Sequence, residues 1–487
     1  MKRVLAMVMA IAGAEWRYWQ RSRLALGGTL LMAALLLATT VLTTLRMQGE
    51  AAERAHHQAE AEAAFLSQPA RHPHRMVHYG HYVFRTPAPL ALFDPGLDPV
   101  TGQTIFLEGH RQNTAMFAAA GASADLGALS WLSPAVVYQL FGPLLVMLLG
   151  HGLVAREREA STLMTVLAQG TSGPVLLAGK ALALLSFVWL LLLPLALTAG
   201  LAVLFSAHPA ENPLAAAALL GAYLLYLSIW GLLALLASAL LARRAAVLAT
   251  LATLWIALTL VLPAVAASAA ANTAPMAGKL ETELAMLADL RKLGGDGHNA
   301  NDPAFAQLRA DLLAKHGVQR VEDLPVNLRG VVAQVGEQRL TQTLNTYARA
   351  QMAAETRQAA VLASHGWFTP LLAVADASRA VAGTDLVHHH RFLQEAEALR
   401  YAFVQGLNRL HAEKLSYSDD VRRSGDALAE KRTRVDANNW QLLERFVFEP
   451  SAASSRIAQA QPQWLMLGVW CAVLVGAAAW AGARLKP

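Results

Sequence analysis

The chain has 487 residues, of which 55% are hydrophobic and 15% are charged, and its mean hydropathy is +0.36. This composition is too apolar for an ordinary soluble protein and indicates that the lipid bilayer is part of its solvent. The single cysteine, Cys471, excludes an internal disulfide framework.

Residues 1–23 share a basic start, an apolar run and small residues at 12–14 with secretory signals. A span here would place three arginines on the outer side of the membrane, against the usual distribution of positive charge. We therefore predict an uncleaved interfacial helix over 1–23 that contacts lipid, with Trp16, Tyr18 and Trp19 at headgroup depth.

Six segments contain no Asp, Glu, Lys or Arg and reach the length of about 20 residues that a helix needs to cross the hydrocarbon core. Lipid offers no partner for backbone polar groups, so each segment is expected to be helical. We predict an all-α polytopic membrane protein with an N-terminal interfacial helix and two extracytoplasmic insertions. The six transmembrane helices are predicted over residues 24–45, 131–155, 181–205, 213–242, 245–270 and 463–483.

The basic residues indicate the orientation of these spans. With both termini in the cytoplasm, the inward-facing segments hold twelve basic residues against three glutamates, which is the usual positive-inside distribution. Topology thus explains the net charge of +6, and nucleic-acid binding would instead need a basic face on a soluble domain. The alanine-rich composition suits a multi-pass protein of a bacterial inner membrane.

Two long insertions are expected on the periplasmic side. The first, residues 46–130, is rich in Gly, Pro and His, which predicts short strands and turns. The second, residues 271–462, has apolar residues at three- and four-residue spacing, which predicts a helical domain. The helices are expected over 280–293, 302–316, 326–365 and 385–415.

No energy-converting or hydrolytic motif is evident in the chain. The segment from Gly173 to Lys180 approaches a phosphate-binding loop, but its glycines are separated by five residues instead of four, and Ala181 replaces the Mg²⁺-binding hydroxyl residue. The spans have no Asp, Glu, Lys or Arg, which disfavours an ion-coupled carrier. We expect no enzyme activity and no bound cofactor in this chain, so energy must come from a partner.

The loop at 156–180, between the second and third spans, carries the most informative pattern. It begins with Arg156-Glu157-Arg158-Glu159, continues as a short amphipathic helix over 162–168, and is then broken by Gly170 to Gly173 before Pro174. Such a helix can transmit force if it docks on a partner. A solvated charged loop is the alternative interpretation.

An interfacial first helix, six spans, and a Glu-Arg-Glu loop followed by Gly-Lys together resemble the ABC-2 type permeases. The resemblance implies a pair of permease subunits, identical or paralogous, with each loop docked as a coupling helix on a cytoplasmic ABC ATPase that binds ATP and Mg²⁺. The sequence departs from many members at 160–162, where Ala-Ser-Thr replaces a Gly-Thr pair. The candidate ATPase-coupling residues are Arg156, Glu157, Arg158, Glu159, Thr162 and Leu163.

Residues 78–113 and 380–410 are similar to an ABC-2 branch with a large extracytoplasmic domain of unknown function. This branch is distantly similar to the permease that serves copper-site maturation of nitrous oxide reductase. The resemblance implies a permease that exports or extracts a substrate. Two alternatives stay open: a non-transporting protein that transmits force to a periplasmic partner, and a periplasmic metal-handling factor.

Fifteen of the sixteen histidines fall on the predicted outer side. His74, His78 and His81 could ligate a borderline metal ion, but ordinary surface or interdomain hydrogen bonding is the favoured interpretation. Successive side chains on a helix point about 100° apart, so the run 388–390 is not expected to converge on one ion.

Overall fold

The computed structural model describes residues 2–116, 132–204, 212–294, 297 and 299–485. Within these ranges the chain is almost entirely helical, with one two-stranded sheet. Six helices are long and apolar enough to cross a membrane, which confirms the all-α polytopic class. Spans 1 to 6 are Arg23–Leu66, Pro134–Glu159, Gly173–Ala202, Pro213–Leu240, Arg244–Thr273 and Gln461–Arg484.

The predicted span boundaries lie within four residues of these helices except at the end of span 1 and at the start of span 3. Span 3 begins at Gly173 and not at the predicted residue 181, so Lys180 lies inside a helix that was predicted to carry no charge. The predicted first residue of span 2, Trp131, and the predicted last residue of span 3, Phe205, lie outside the described residues. Span 1 continues as one 44-residue helix to Leu66, so the first insertion begins as a helix and not as strands or turns. Residues 46–66 are mostly good helix formers, and Arg46, Glu50 and Arg54 form ion pairs at four-residue spacing, which explains the extension.

Three spans are interrupted at the same distance before a proline. The π-helical segments Val137–Phe141 and Ala257–Val261 end two residues before Pro143 and Pro263. Span 3 breaks at Leu192, two residues before Pro194. A proline removes one backbone donor and its ring displaces the carbonyl of the preceding turn, so regular helix geometry is lost there.

The first helix, α1 (Lys2–Arg21), forms as predicted but packs against the protein. Trp16 Nε1 donates a hydrogen bond of 2.8 Å to Ser186 Oγ in span 3, and Trp19 is only 5% exposed beside Phe187. Tyr18 is exposed. Both tryptophans therefore pack against span 3, and their position at headgroup depth stays a prediction.

The rest of the first insertion contains short elements. A helix, α2 (Pro73–Val77), precedes the antiparallel strands β1 (His81–Phe84) and β2 (Thr104–Leu107), which pair with His81 opposite Leu107. A 3₁₀ turn (Pro89–Leu92) and a one-turn helix, α3 (Asp98–Thr101), lie between the strands. The short strands and turns predicted here are present up to residue 116, and 117–130 lie outside the described residues.

The second insertion is helical, as predicted. Three of its predicted helices begin and end within two residues of the predicted ends. The helix expected over 302–316 begins later, at Ala306, and ends at His316 as predicted. Two short 3₁₀ turns, Pro303–Phe305 and Val321–Asp323, flank the helix that ends at His316. A third 3₁₀ turn, Ala437–Leu442, lies near the end of the insertion. Between spans 2 and 3 lies α4 (Leu163–Ala168); the helices of the insertion are α5 (Lys279–Leu293), α6 (Ala306–His316), α7 (Leu328–Ser364), α8 (Pro370–Ala382), α9 (Leu386–Lys414), α10 (Tyr417–Arg422), α11 (Ala427–Arg432) and α12 (Ala453–Gln459).

Helix α8 was not predicted, and it joins the second insertion to the spans. It packs between spans 4 and 6, and its Ala373, Val374 and Ala377 belong to the same buried apolar cluster as the spans. Just before α8, Thr369 Oγ1 donates to the carbonyl of Leu258, fourteen residues into span 5. The insertion and the spans therefore share one core.

Candidate coupling site and outer polar clusters

Helix α4 presents one face to solvent in the loop between spans 2 and 3. Leu163 and Leu167 are buried, whereas Thr162 and Thr165 are exposed and Met164 is 53% exposed. Ser161, just before α4, has a φ of 55°, a left-handed conformation that glycine adopts at less cost. The amphipathic helix predicted over 162–168 is thus present, with a small exposed face that contains Thr162 but not Leu163.

The start of this loop is attached to the end of span 4. Arg158 donates hydrogen bonds to the carbonyls of Leu241 (2.7 Å) and Ala239 (2.8 Å), which satisfies acceptors that a helix end leaves open. Ser238 Oγ accepts from the backbone N–H groups of Val154 and Ala155 at 2.9 and 3.1 Å. These hydrogen bonds hold the Arg-Glu-Arg-Glu segment against the end of span 4.

A group of four charges connects the loop to α1 and span 3; Lys180 and Glu15 are buried, and Arg156 and Glu157 are half-buried. Lys180 Nζ lies 2.5 Å from Glu15 Oε1 and also contacts Glu157 Oε1. Arg156 donates to Glu15 at 2.9 Å, and its guanidinium lies 3.7 Å from the Tyr18 ring centroid. Lys180 is 1% exposed and Glu15 is 2% exposed. Two acids and two bases balance one another, which buried charges require.

The loop also contacts span 5, at the protein surface, through Glu159. Glu159 accepts hydrogen bonds from the backbone N–H and the Nε of Arg244, at 2.7 and 2.6 Å. Arg244 is the first residue of span 5, where a carboxylate also meets the positive end of the helix dipole.

Among the six candidate coupling residues, the structure thus separates two groups. Arg156, Glu157, Arg158, Glu159 and the buried Leu163 contact other parts of the same chain, and Thr162 is the exposed member at α4. Sequence reasoning missed Glu15, and considered Lys180 only in the comparison with a phosphate-binding loop and in the Gly-Lys pattern. The available signal was that Glu15 is the sole acidic residue among the first 49.

On the opposite side, a buried hydrogen-bonded chain joins the first insertion to the spans. Ser378 Oγ of α8 donates to Asp94 Oδ2, and Tyr223 of span 4 donates to Ser378 Oγ at 3.2 Å. Gln139 of span 2 donates to the Tyr223 hydroxyl at 2.9 Å. Burial raises the pKa of Asp94 despite the bonds that it accepts. These hydrogen bonds link both insertions to spans 2 and 4.

A second buried network holds α7 against α9. Arg400 donates to Glu337 Oε1 at 2.6 Å and to both oxygens of Glu397 at 2.7 Å. His110 Nδ1 lies 2.8 Å from Glu337 Oε2. Burial alone would raise the pKa of Glu337, but the hydrogen bond with His110 and the charge of Arg400 lower it to about 2. Glu337 is therefore ionised at neutral pH.

Histidines of the two insertions form two compact groups. His74 and His78 lie together with His110, and one ring nitrogen of each is within 4.8 Å of the others. His81 does not belong to this group; it is buried, with its ring edge-on to Phe65. His72 and His411 both bind Asp420 in the second group.

The run 388–390 does not converge, as expected. His388 Nδ1 pairs with Asp385, whereas His390 Nε2 pairs with Glu355 of α7. These partners lie on different elements and give both histidines structural contacts.

Residues 279–449 match a family described as a domain of unknown function (DUF3526). The match covers most of the second insertion, less than half of the chain, and none of the six spans. No curated protein matches this chain.

Proposed function

We propose that this chain is the membrane-spanning permease subunit of an ABC-2 type transporter in a bacterial inner membrane. Both termini face the cytoplasm and both insertions face the periplasm in this proposal. A separate ABC ATPase binds ATP and Mg²⁺, and a second permease, identical or paralogous, completes the assembly. ATP hydrolysis on the partner drives export or extraction of a substrate.

The observation that carries the proposal is the exposed face of α4, which is held between two spans by structured contacts. Thr162, Met164 and Thr165 face solvent, while Leu163 and Leu167 fix the helix to the spans. A short helix with a rigid base and an exposed apolar residue suits docking on a protein surface. A merely solvated loop would not need this base.

The contacts of Arg156 to Glu159 supply a route for force from α4. Arg158 connects the loop to the end of span 4, Glu157 connects it to span 3 through Lys180, and Glu159 connects it to span 5. A displacement of α4 on an ATPase would therefore act on three spans at once. In this proposal the charged residues transmit the motion, and the exposed face of α4 makes the docking contact.

A non-transporting force-transmission protein is the second candidate, and helix α8 favours it. The second insertion enters the core of the spans through α8, and Ser378 joins it to Asp94 of the first insertion. Movement of the spans would consequently move both insertions. Those insertions could then act on a periplasmic protein without a substrate crossing the membrane.

The test is affinity purification from native membranes in mild detergent, with the ATPase identified by mass spectrometry and an activity assay. Met164→Asp places a charge on the exposed face of α4 without removing a buried contact. We expect it to abolish co-purification of the ATPase. The matched control is Leu280→Asp on α5, at an apolar residue that is 70% exposed and distant from the loop.

Retention of the ATPase in the control with its loss in Met164→Asp supports docking at α4. If the wild-type chain brings no ATPase under conditions that preserve known assemblies of this kind, the permease proposal fails. Equal recovery with Met164→Asp and wild type rejects α4 as the docking helix. ATP-dependent movement of a substrate into or out of reconstituted vesicles separates transport from force transmission.

A further inference from the structure

Three histidines from two separate segments converge at the surface of the first insertion. His74 and His78 are four residues apart on α2 and its C-terminal cap, which places them on one face. Their Nε2 atoms lie 3.1 Å apart. The ring of His110 follows at 5.1 Å from that of His78 and 5.9 Å from that of His74, measured between centroids.

The backbone brings His110 to this position at a conformational cost. The N–H of Gly109 donates to the carbonyl of Val77 at 3.0 Å, which fixes the loop against α2. A side chain at Gly109 has no room, because a Cβ there would lie 2.1 Å from Val77 Cγ1. His110 itself has a φ of 63°, which few residues other than glycine adopt. Such local strain is typical of functional sites.

The hydrogen bond with Glu337 orients the His110 ring. Nδ1 of His110 lies 2.8 Å from Glu337 Oε2, so the opposite ring nitrogen, Nε2, faces away from the carboxylate. Arg400 holds the other oxygen of Glu337 at 2.6 Å. A carboxylate on the outer nitrogen of a histidine is the usual support of a metal-ligating imidazole, because it sets the ring position and increases its basicity.

The donor set selects the type of ion. Imidazole nitrogens bind Zn²⁺ and its first-row neighbours, whereas Ca²⁺ and Mg²⁺ prefer oxygen ligands. A tetrahedral site with bonds of about 2.0–2.1 Å places two ligand nitrogens about 3.3 Å apart, close to the separation of His74 and His78. Rotation of the side chains would bring the third nitrogen, now within 4.8 Å, to bonding distance.

The second histidine group is a poorer metal site. Asp420 accepts from His72, His411 and Asn327 and also contacts Arg423 at 3.1 Å. Its oxygens are therefore already bound, and a cation there would meet a guanidinium group.

We infer that His74, His78 and His110 form a binding site for a divalent first-row transition metal ion of the Zn²⁺ class, with Glu337 as a positioning residue. His78 is exposed and the other two are half-buried, so one coordination position is open to water or to a ligand. The site lies in the first insertion and does not depend on the proposed permease function.

The test is Zn²⁺ titration of the purified full-length chain after removal of metal, with calorimetry and measurement of metal content. One tightly bound Zn²⁺ per chain is expected, and Co²⁺ in its place should give the visible absorption of a four-coordinate nitrogen site. His78→Ala and His110→Ala should each abolish stoichiometric binding. Glu337→Gln should weaken the affinity by about 10–100-fold. His316→Ala removes an exposed histidine elsewhere and should bind like the wild type.

Unfolding temperatures of the metal-free variants are measured beside the binding. His78 is exposed, so His78→Ala should unfold at the wild-type temperature, and loss of Zn²⁺ then reports loss of a ligand. Stoichiometric binding that persists in both His78→Ala and His110→Ala overturns the inference, as does failure of the folded wild type to bind Zn²⁺. Loss of Zn²⁺ only in His411→Gln would place the ion in the second group and overturn it as well.

Discussion

Lys180 and Glu15 form an ion pair of 2.5 Å across 165 positions of sequence, and both side chains are buried. This pair joins α1 to the first residues of span 3. Glu157 and Arg156 complete the group, so no member can move away alone without leaving a buried charge uncompensated. The loop, α1 and span 3 are thereby expected to move as one unit.

Lys180→Met tests the structural importance of this group. The variant leaves the buried Glu15 and the half-buried Glu157 close together with one fewer cation, and removal of one partner of a buried pair costs about 3–5 kcal/mol. We expect a lower unfolding temperature in detergent and faster proteolysis of α1. Fluorescence-monitored thermal unfolding and limited proteolysis measure the two effects.

Two further variants distinguish charge balance from lost packing. Lys292→Met removes an exposed lysine that pairs with Asp289, and it should leave the unfolding temperature unchanged. Glu15→Gln added to Lys180→Met restores the balance of charge and should recover part of the loss. A double variant no more stable than Lys180→Met alone would show that packing, and not charge, dominates there.

Ser378→Ala tests the junction between the insertions and the spans. The variant removes the hydroxyl that donates to Asp94 and accepts from Tyr223, and an unsatisfied buried polar group costs about 1–3 kcal/mol. We expect faster backbone hydrogen exchange over residues 89–99. Ser364→Ala, at an exposed helix end, should leave exchange there unchanged. Equal exchange in both variants would argue against Ser378 as a connecting residue.

The six spans could be predicted because a long uncharged segment has few stable alternatives to a membrane helix. Helix α8 could not, since it is only 13 residues long and contains Asp376 and Arg379. A helix of this length is too short to span the membrane, and its sequence gives no sign of its partners. Contacts with spans 4 and 6 decide its position, and these depend on residues far away in sequence.

Gly330→Ala tests the close packing of α7 on α9. A Cβ at Gly330 would lie 2.3 Å from the backbone nitrogen of Ala412, so the two helices must separate. Overpacking of this kind costs about 1–3 kcal/mol, and we expect a lower unfolding temperature. In Gly406→Ala the nearest atom, on Leu442, is 3.7 Å away, so this control should be neutral or stabilising by up to about 1 kcal/mol. Similar losses in both variants would contradict the prediction.

The candidate sites were predicted only in part, for a related reason. The sequence grouped His74, His78 and His81 because they lie in one short segment, but it predicted no helix there and could not separate His81 from the other two. His110 follows 32 residues later and reaches them through the pairing of β1 with β2 and the contact of Gly109 with Val77. In the same way, the Arg-Glu-Arg-Glu pattern identified Glu157 as a candidate coupling residue but could not reveal its contact with Lys180.

His389 makes the stability of the second insertion sensitive to pH. Burial, together with the charges of Arg85 and His390, lowers its pKa to about 4, although Glu355 acts in the opposite direction. The ordinary histidine pKa is about 6.5, so between these values the unfolded chain binds a proton that the folded chain does not. Stability should therefore be lost as the pH falls through this range.

His389→Gln removes the titrating group and keeps a polar side chain of similar length. Relative to pH 7.5, the wild type at pH 5 should lose about 2 kcal/mol more than His389→Gln, because every other titration is common to both proteins. Thermal unfolding across this pH range measures the difference, and His316→Gln, at an exposed histidine, should follow the wild type. Parallel curves for the wild type and His389→Gln would mean that His389 titrates alike in the folded and unfolded chains.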